Sequence, residues 1–288
     1  MTFNVENLFD AKHDPYKQDH EFLPPKWTEA AVAQKLKHLA QTVSQDPPDI
    51  LALQEVENIA ILKRLRDEYL KDYSTIVLIE GSDERGIDTA ILSRYPLASP
   101  PKLHSIPYGK KTNAKYSARE ILEVQLNINK SIVTVFNVHL PSQFHPYPAR
   151  RKAAEFLNPL GTQAVKTASL VIGLGDFNAS GNASNDFFRH VLGGFWYVSH
   201  LEGCQYCRGN YYYSVNKSWS FMDAILVLRE SLDANKPRWK IDRSSIRVVN
   251  GFSQQKNMRG FPQKFRQNKK GFYGVSDHWP IIMKLNNI

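Results

Sequence analysis

The chain has 288 residues, with 37 Lys and Arg against 28 Asp and Glu, for a formal charge of +9. Apolar residues make up 42% and charged residues 23%, the make-up of a globular protein, and no run of about 18 apolar residues could cross a bilayer as a helix. Two cysteines cannot build a disulfide scaffold, and 15 Gly with 16 Pro exclude a fibrous or low-complexity chain.

The opening residues Met1–Val5 read as a strand, without the basic, apolar and small-residue order of a signal peptide. Thr28 is a good N-cap and predicts a helix over Thr28–Ser44; a second is expected at Ile59–Tyr69 and a third around Ala149–Leu157. Between and after them come short apolar runs, several rich in β-branched residues, which read as strands. They are Ile50–Leu53, Thr75–Ile79, Thr89–Leu92, Ile121–Leu126 and Ile132–Leu140, then Leu170–Leu174, Phe221–Leu228, Ile246–Val249 and Pro280–Leu285. Strands and helices do not alternate strictly, so the expectation is two packed sheets with helices outside rather than a doubly wound parallel sheet. No linker or repeat divides the chain, so one domain over residues 1–288 is expected.

The charge is concentrated. Residues 236–270 hold eleven Lys and Arg against the single Asp242, a local balance of +10 that leaves −1 for everything else. Trp239, Phe252, Phe261 and Phe265 interleave with these cations, and Phe272 and Tyr273 follow them. Cations that meet phosphates and rings that stack on bases make this a plausible nucleic-acid surface.

Chemistry is expected where polar residues end the apolar runs. Glu55 closes Asp49–Glu55, His139 closes Ile132–His139, and Asp176 and Asn178 close Ser169–Asn178. Asp223 and the pair Asp277–His278 instead precede their apolar runs. If the second group runs antiparallel to the first, all these ends meet at one rim, and Asn4 and Glu6 could join them. Carboxylates that close repel unless a cation sits among them, and oxygen donors suit Mg²⁺. Cation, imidazoles and amide donors together are what hydrolysis of a phosphate ester requires.

At these residues the chain resembles the endonuclease/exonuclease/phosphatase superfamily, the fold of the pancreatic-type deoxyribonucleases. The resemblance rests on an ordered set: Thr2–Asn7, Leu53–Glu55, Gly86–Asp88 with Ile91–Pro96, Asn137–His139, Gly175–Asn178, Phe221–Asp223 and Ser276–His278. The opening Asn4–Asp10, and Tyr211–Tyr213 followed by Trp219-Ser-Phe, are similar to a bacterial branch. It implies a four-layer α/β sandwich, two mixed and mostly antiparallel sheets face to face with helices outside. It also implies roles. Glu55 would be the main metal ligand, with Asn4 and Asp277 near the metal or phosphate. His278, oriented by Asp223, would be the general base, while Asp176 and Asn178 position the nucleophile and phosphate. His139 would stabilise developing charge or protonate the leaving oxygen, with Asp88 orienting it, and Arg119 would reach a phosphate oxygen. The metal would be Mg²⁺, with Mn²⁺ and Ca²⁺ open.

The expected function is a metal-dependent phosphodiesterase, a nuclease on DNA or RNA, acting as a monomer. The alternatives are a phosphomonoesterase or a lipid phosphodiesterase of inositol phosphate or sphingomyelin type on the same site, and last an inactive polyanion-binding module. The basic insertion around residues 233–272 has no matching family element, and its Lys264, Arg266, Lys269 and Lys270 are the expected substrate contacts. Cys204 and Cys207 would form a local disulfide or remain two thiols, and so few cysteines point to a periplasmic or secreted location.

Overall fold

Residue types and caps explain the main elements of the computed structural model, which describes residues 1–18, 27–108, 119–179, 186–204, 207–232 and 239–288. Helix α1 (Glu29–Val43) starts where the Thr28 side chain accepts the Ala31 N–H, and α2 (Ile59–Tyr69) where Asn58 does the same for Ile61. Helix α3 runs Tyr147–Ala164, seven residues past the expected end, although Pro159 and Gly161 read as breakers. Packing overrides propensity there, because a Cβ on Gly161 would lie 2.6 Å from the Trp196 ring. A short helix, α4 (Ser199–Glu202), follows.

The strands, in chain order, are β1 (Thr2–Leu8), β2 (Ile50–Val56), β3 (Thr75–Leu78), β4 (Asp88–Ser93), β5 (Lys102–Ser105), β6 (Glu120–Ile128), β7 (Ser131–His139) and β8 (Leu170–Asp176). There follow β9 (Trp196–Val198), β10 (Tyr211–Tyr213), β11 (Ser218–Ser220), β12 (Asp223–Leu228), β13 (Trp239–Val248), β14 (Arg266–Asn268), β15 (Gly271–Tyr273) and β16 (Ile281–Asn287). Two six-stranded sheets form, in the orders β13-β16-β1-β2-β4-β3 and β5-β6-β7-β8-β12-β9, with β10-β11 and β14-β15 as small hairpins. Only β1–β2 and β7–β8 pair in parallel among the described residues, so both sheets are mixed and mostly antiparallel. The core falls into three sets that define four layers. Phe3, Leu51 and Leu53 pack under α1 and α2; Phe136, Val171 and Leu226 pack under α3; Ala52, Val133, Ile172, Ile225 and Ile281 meet between the sheets.

Strand β13 begins seven residues before the expected Ile246. Its outer edge is unpaired among the described residues and its register shifts between Asp242 and Arg247, so its sequence lacks the apolar alternation of a central strand. Lys236 and Arg238 of the basic segment lie outside the described residues. Cys204 and Cys207 form a disulfide. No helix among the described residues is long and apolar enough to cross a membrane.

Candidate active site

The topology of each sheet sends three chain segments to the same rim. In the first sheet the parallel pair β1 and β2 ends there and antiparallel β16 starts there; in the second, β7 and β8 end and β12 starts. Side chains alternate along these strands. Ala52, Val133, Ile172 and Ile225 face the inter-sheet core, and the same parity turns Asn4, Gln54, Asn137, His139, Asp176 and Asp223 inwards at the rim. Gln54 and Asn137 cross the sandwich: Gln54 Nε2 donates to Asn137 Oδ1 at 2.7 Å, and Asn137 Nδ2 donates to the carbonyls of Leu53 and Ala90.

Glu55 should by strict alternation point outwards, on the side of Leu51 and Leu53. Its backbone is left-handed (φ 68°) and the β2–β4 ladder is irregular between Gln54 and Val56, so the alternation breaks there. Its Oε2 accepts the Asn7 N–H at 2.8 Å and its Oε1 accepts Asn4 Nδ2 at 3.2 Å. Asn4 Nδ2 also donates to Asp176 Oδ2 at 2.9 Å, while Asn4 Oδ1 accepts the Glu6 N–H. That backbone bond fixes which end of the amide is which. Asn4 therefore holds two carboxylates together through Nδ2, while its Oδ1 accepts the Glu6 N–H.

His139 Nδ1 lies 2.8 Å from Arg119 Nη1. Guanidinium only donates, so Nδ1 accepts and the ring proton sits on Nε2. Burial and the nearby Arg119 and Arg85 charges hold this imidazole well below its ordinary value. Its Nε2 is 3.7 Å from both Glu55 Oε1 and Asp176 Oδ2. The residue orienting His139 is thus Arg119, not Asp88. Asp88 Oδ1 accepts the Gly81 N–H, and burial pushes its carboxyl up to about 7 despite that bond. Arg119, buried, also lies 3.4 Å from Asp83 Oδ2.

Asp176 Oδ1 accepts the Asn178 N–H at 2.7 Å, and Asn178 Nδ2 is bound to the Leu140 carbonyl. Asp223 Oδ2 accepts His278 Nδ1 at 2.6 Å and Asn210 Nδ2 at 2.5 Å; Asn210 Oδ1 accepts the Met222 and Asp223 N–H groups. Ser276 binds the His278 N–H with its Oγ and donates to the Asn4 carbonyl, tying β1 to this turn. Burial opposes charge on His278, but Asp223 first, with Asp176 and Asp277, carries it up to about 10. Burial, then Asp223, raises Asp176 to about 7. Side-chain atoms of Asp176, Asp223 and His278 lie within 4.8 Å of one another. The sequence carried no signal for Asn210, which acts through hydrogen bonds made across the fold; Ser276 lay within the Ser276–His278 motif but was given no role.

The basic insertion reaches the rim in a way the sequence did not show. The Val275 N–H donates to the Gln263 carbonyl, and Gly274 (φ 82°) sits so close that a Cβ would lie 1.9 Å from the Lys264 carbonyl oxygen. Lys264 Nζ is thereby set 2.8 Å from Asp277 Oδ2 and 3.2 Å from Glu6 Oε1, and Arg266 reaches Glu6 at 3.4 Å. The expected substrate cations Lys264 and Arg266 are thus paired to rim carboxylates, and Asp277, an expected metal neighbour, is engaged by Lys264. Lys269 and Lys270 are exposed at the turn of the β14–β15 hairpin.

The donor chemistry of the rim fits a hard divalent cation. Glu55, Asp176, Asp223 and Asp277 supply carboxylates, and buried Asp223 Oδ1 has no hydrogen-bond partner among the described residues. A buried, unpaired carboxylate oxygen is costly unless a cation compensates it.

A family model described as "Endonuclease/Exonuclease/phosphatase family" matches residues 1–287. The chain belongs to this family. Its members are phosphate-ester hydrolases, typically dependent on divalent metals. No curated protein matches it by sequence. Among solved structures, it is similar to humanized D. rerio TDP2, with TM-score 0.66 and 19% identity over 99% of this chain and 97% of that one. D. rerio TDP2 complexed with a single-strand DNA product gives TM-score 0.64 and 18% identity over 91% and 94%. A Bacteroides thetaiotaomicron mannosyl-6-phosphatase gives 0.63 and 18% over 99% and 98%. At these identities the likeness carries the fold, the expected α/β sandwich.

Proposed function

We propose that the protein is a Mg²⁺-dependent phosphodiesterase that hydrolyses DNA by attack of water. The observation that carries this reading is the joining at one rim of the buried His278–Asp223 pair, Asp176, and the Nε2–H of His139 beside Glu55. The cation concentration of the late segment and a fold neighbour solved with a single-strand DNA product support a nucleic-acid substrate over a small monoester.

Glu55 would hold the cation, with Asp277 beside it; when bound, the metal would polarise a phosphoryl oxygen and offset developing charge. Asp176, kept aimed by Asn4 and Asn178, takes the proton of the attacking water. His278 is kept in one tautomer by Asp223 and donates from Nε2 to the phosphate. Its Nδ1–H is given to Asp223 and the surrounding carboxylates favour charge on the ring, which supports a donor's part for His278 in place of the general base expected from the sequence. His139, its Nδ1 closed by Arg119, offers a fixed Nε2–H to the negative charge on the leaving oxygen and has no second proton to pass, so as the bond from phosphorus to that oxygen breaks the oxygen takes its proton from solvent water. The Cys204–Cys207 disulfide supports a periplasmic or secreted location.

The test is a side-by-side assay of supercoiled plasmid, a phosphomonoester and a sphingomyelin panel, each with Mg²⁺ and with EDTA. Plasmid relaxation in Mg²⁺ alone, lost in His278→Ala, is the expected result. An intact plasmid with turnover of the monoester or lipid would overturn the substrate assignment.

A further inference from the structure

Beside the rim a cleft of about 700 Å³ runs along the unpaired edge of β13, lined by Arg208, Trp219, Arg243, Arg247, Asn250 and Trp279. Its floor is built into the catalytic apparatus. Trp279 follows His278, and Asn210, beside the cleft's Gly209, donates both to the Trp279 carbonyl at 3.1 Å and to Asp223. Trp219 leans on Trp279 with ring centroids 5.0 Å apart.

The cations here differ from those of the insertion's hairpin. Lys264 and Arg266 are neutralised by Glu6 and Asp277. Arg208 and Arg243 are exposed and have no carboxylate partner among the described residues; Arg243 rests over the Tyr197 ring at 5.7 Å. Arg247 is held by Asp46 and by the Ser245 carbonyl. Guanidinium groups bind phosphates in bidentate fashion, and an indole at the same wall can stack on a base. A paired base hides its faces inside the duplex stack, so such a wall suits an unpaired strand.

We infer that this cleft, rather than the β14–β15 hairpin, carries a single strand of nucleic acid away from the scissile phosphate, with phosphates on Arg208 and Arg243 and a base against Trp219. The inference rests on the phosphodiesterase reading above and names the path its substrate takes.

The experiment measures anisotropy of a short labelled oligothymidylate in EDTA across a salt series, with the full chain. Arg208→Glu combined with Arg243→Glu is expected to raise Kd about tenfold or more and to flatten the slope of log Kd against log salt by roughly 1.4, the share of two single-strand phosphate contacts. Lys63→Glu combined with Lys152→Glu, on the exposed faces of α2 and α3, makes the same change in net charge and is expected to leave Kd unchanged. Trp219→Leu is expected to weaken binding about fivefold or more while keeping the salt slope. Equal effects from both charge-reversal pairs, no effect from the arginine pair, or no measurable binding by the wild type would overturn the inference. Plasmid relaxation by the same proteins separates the two readings. Arginine-dependent binding without any diester hydrolysis sinks the activity and keeps the cleft. Full hydrolysis with unchanged affinity in the arginine pair does the reverse.

Discussion

His139 and His278 show how one residue type acquires two functions from its neighbours. Arg119 closes Nδ1 of His139 with a donor, which with burial disfavours charge on that ring; Asp223 closes Nδ1 of His278 with an acceptor, which favours it. The sequence supplied both histidines at strand ends and, through the family resemblance, Asp223 as the partner of His278, but not Arg119 as the partner of His139, which it meets only across the fold. His278→Ala and Asp176→Ala are each expected to lower kcat about 10²-fold or more on a chromogenic diester, the size of general acid–base effects. Urea midpoints of the two variants, measured alongside, should show that the chain still folds. Near-wild-type turnover in either variant would remove that residue from the mechanism.

At the scale of elements, the informative feature is the contact of the insertion with the catalytic turn. Gly274 and Gly260 both have left-handed backbones, φ 82° and 77°, but only Gly274 is crowded; nothing lies within 4 Å of a Cβ at Gly260. Gly260→Ala should therefore cost only about 1 kcal/mol of backbone strain. Gly274→Ala adds a clash with the Lys264 carbonyl and should cost about 3 kcal/mol or more, since Val275 and Lys264 must separate. Urea unfolding of the two variants checks the difference. Gly274→Ala should also lower kcat, because the same separation releases Lys264 from Asp277; equal costs in the two variants would mean the insertion is not clamped to the turn.

At the scale of the whole molecule, acid stability depends on a histidine remote from the chemistry. His200, on α4, is buried with its ring stacked on Phe221 at 4.4 Å and edge-on to Phe188 at 4.6 Å. Burial lowers its pKa from 6.5 to about 3. Between those values the unfolded chain binds a proton that the folded chain does not, so stability is complete above 6.5 and falls as pH drops towards 3. For an unfolded value near 6.5 the loss from pH 7 to 5 is about 2 kcal/mol. In His200→Phe, the drop in unfolding free energy from pH 7 to 5 should shrink by that amount. An unchanged drop would show that His200 takes no part in it.

By itself the sequence determined that the protein has two sheets with outer helices and that Glu55, His139, Asp176, Asp223 and His278 sit at strand ends. Apolar periodicity and polar termini are local properties, and residues that must meet at one rim leave an ordered trail of motifs. Only the tertiary structure decided what each group does there. The parity that turns Asn4, Asn137 and His139 inwards, and the left-handed turn at Glu55 that breaks it, follow from strand register. The pairing of Lys264 with Asp277 follows from how the insertion folds back on the sheet, and Arg208 and Arg243 meet no carboxylate among the described residues. Cations that look alike in the sequence thus divide into rim counter-ions and exposed arginines along a cleft, because ion pairing depends on distances of a few ångströms between residues far apart in the chain.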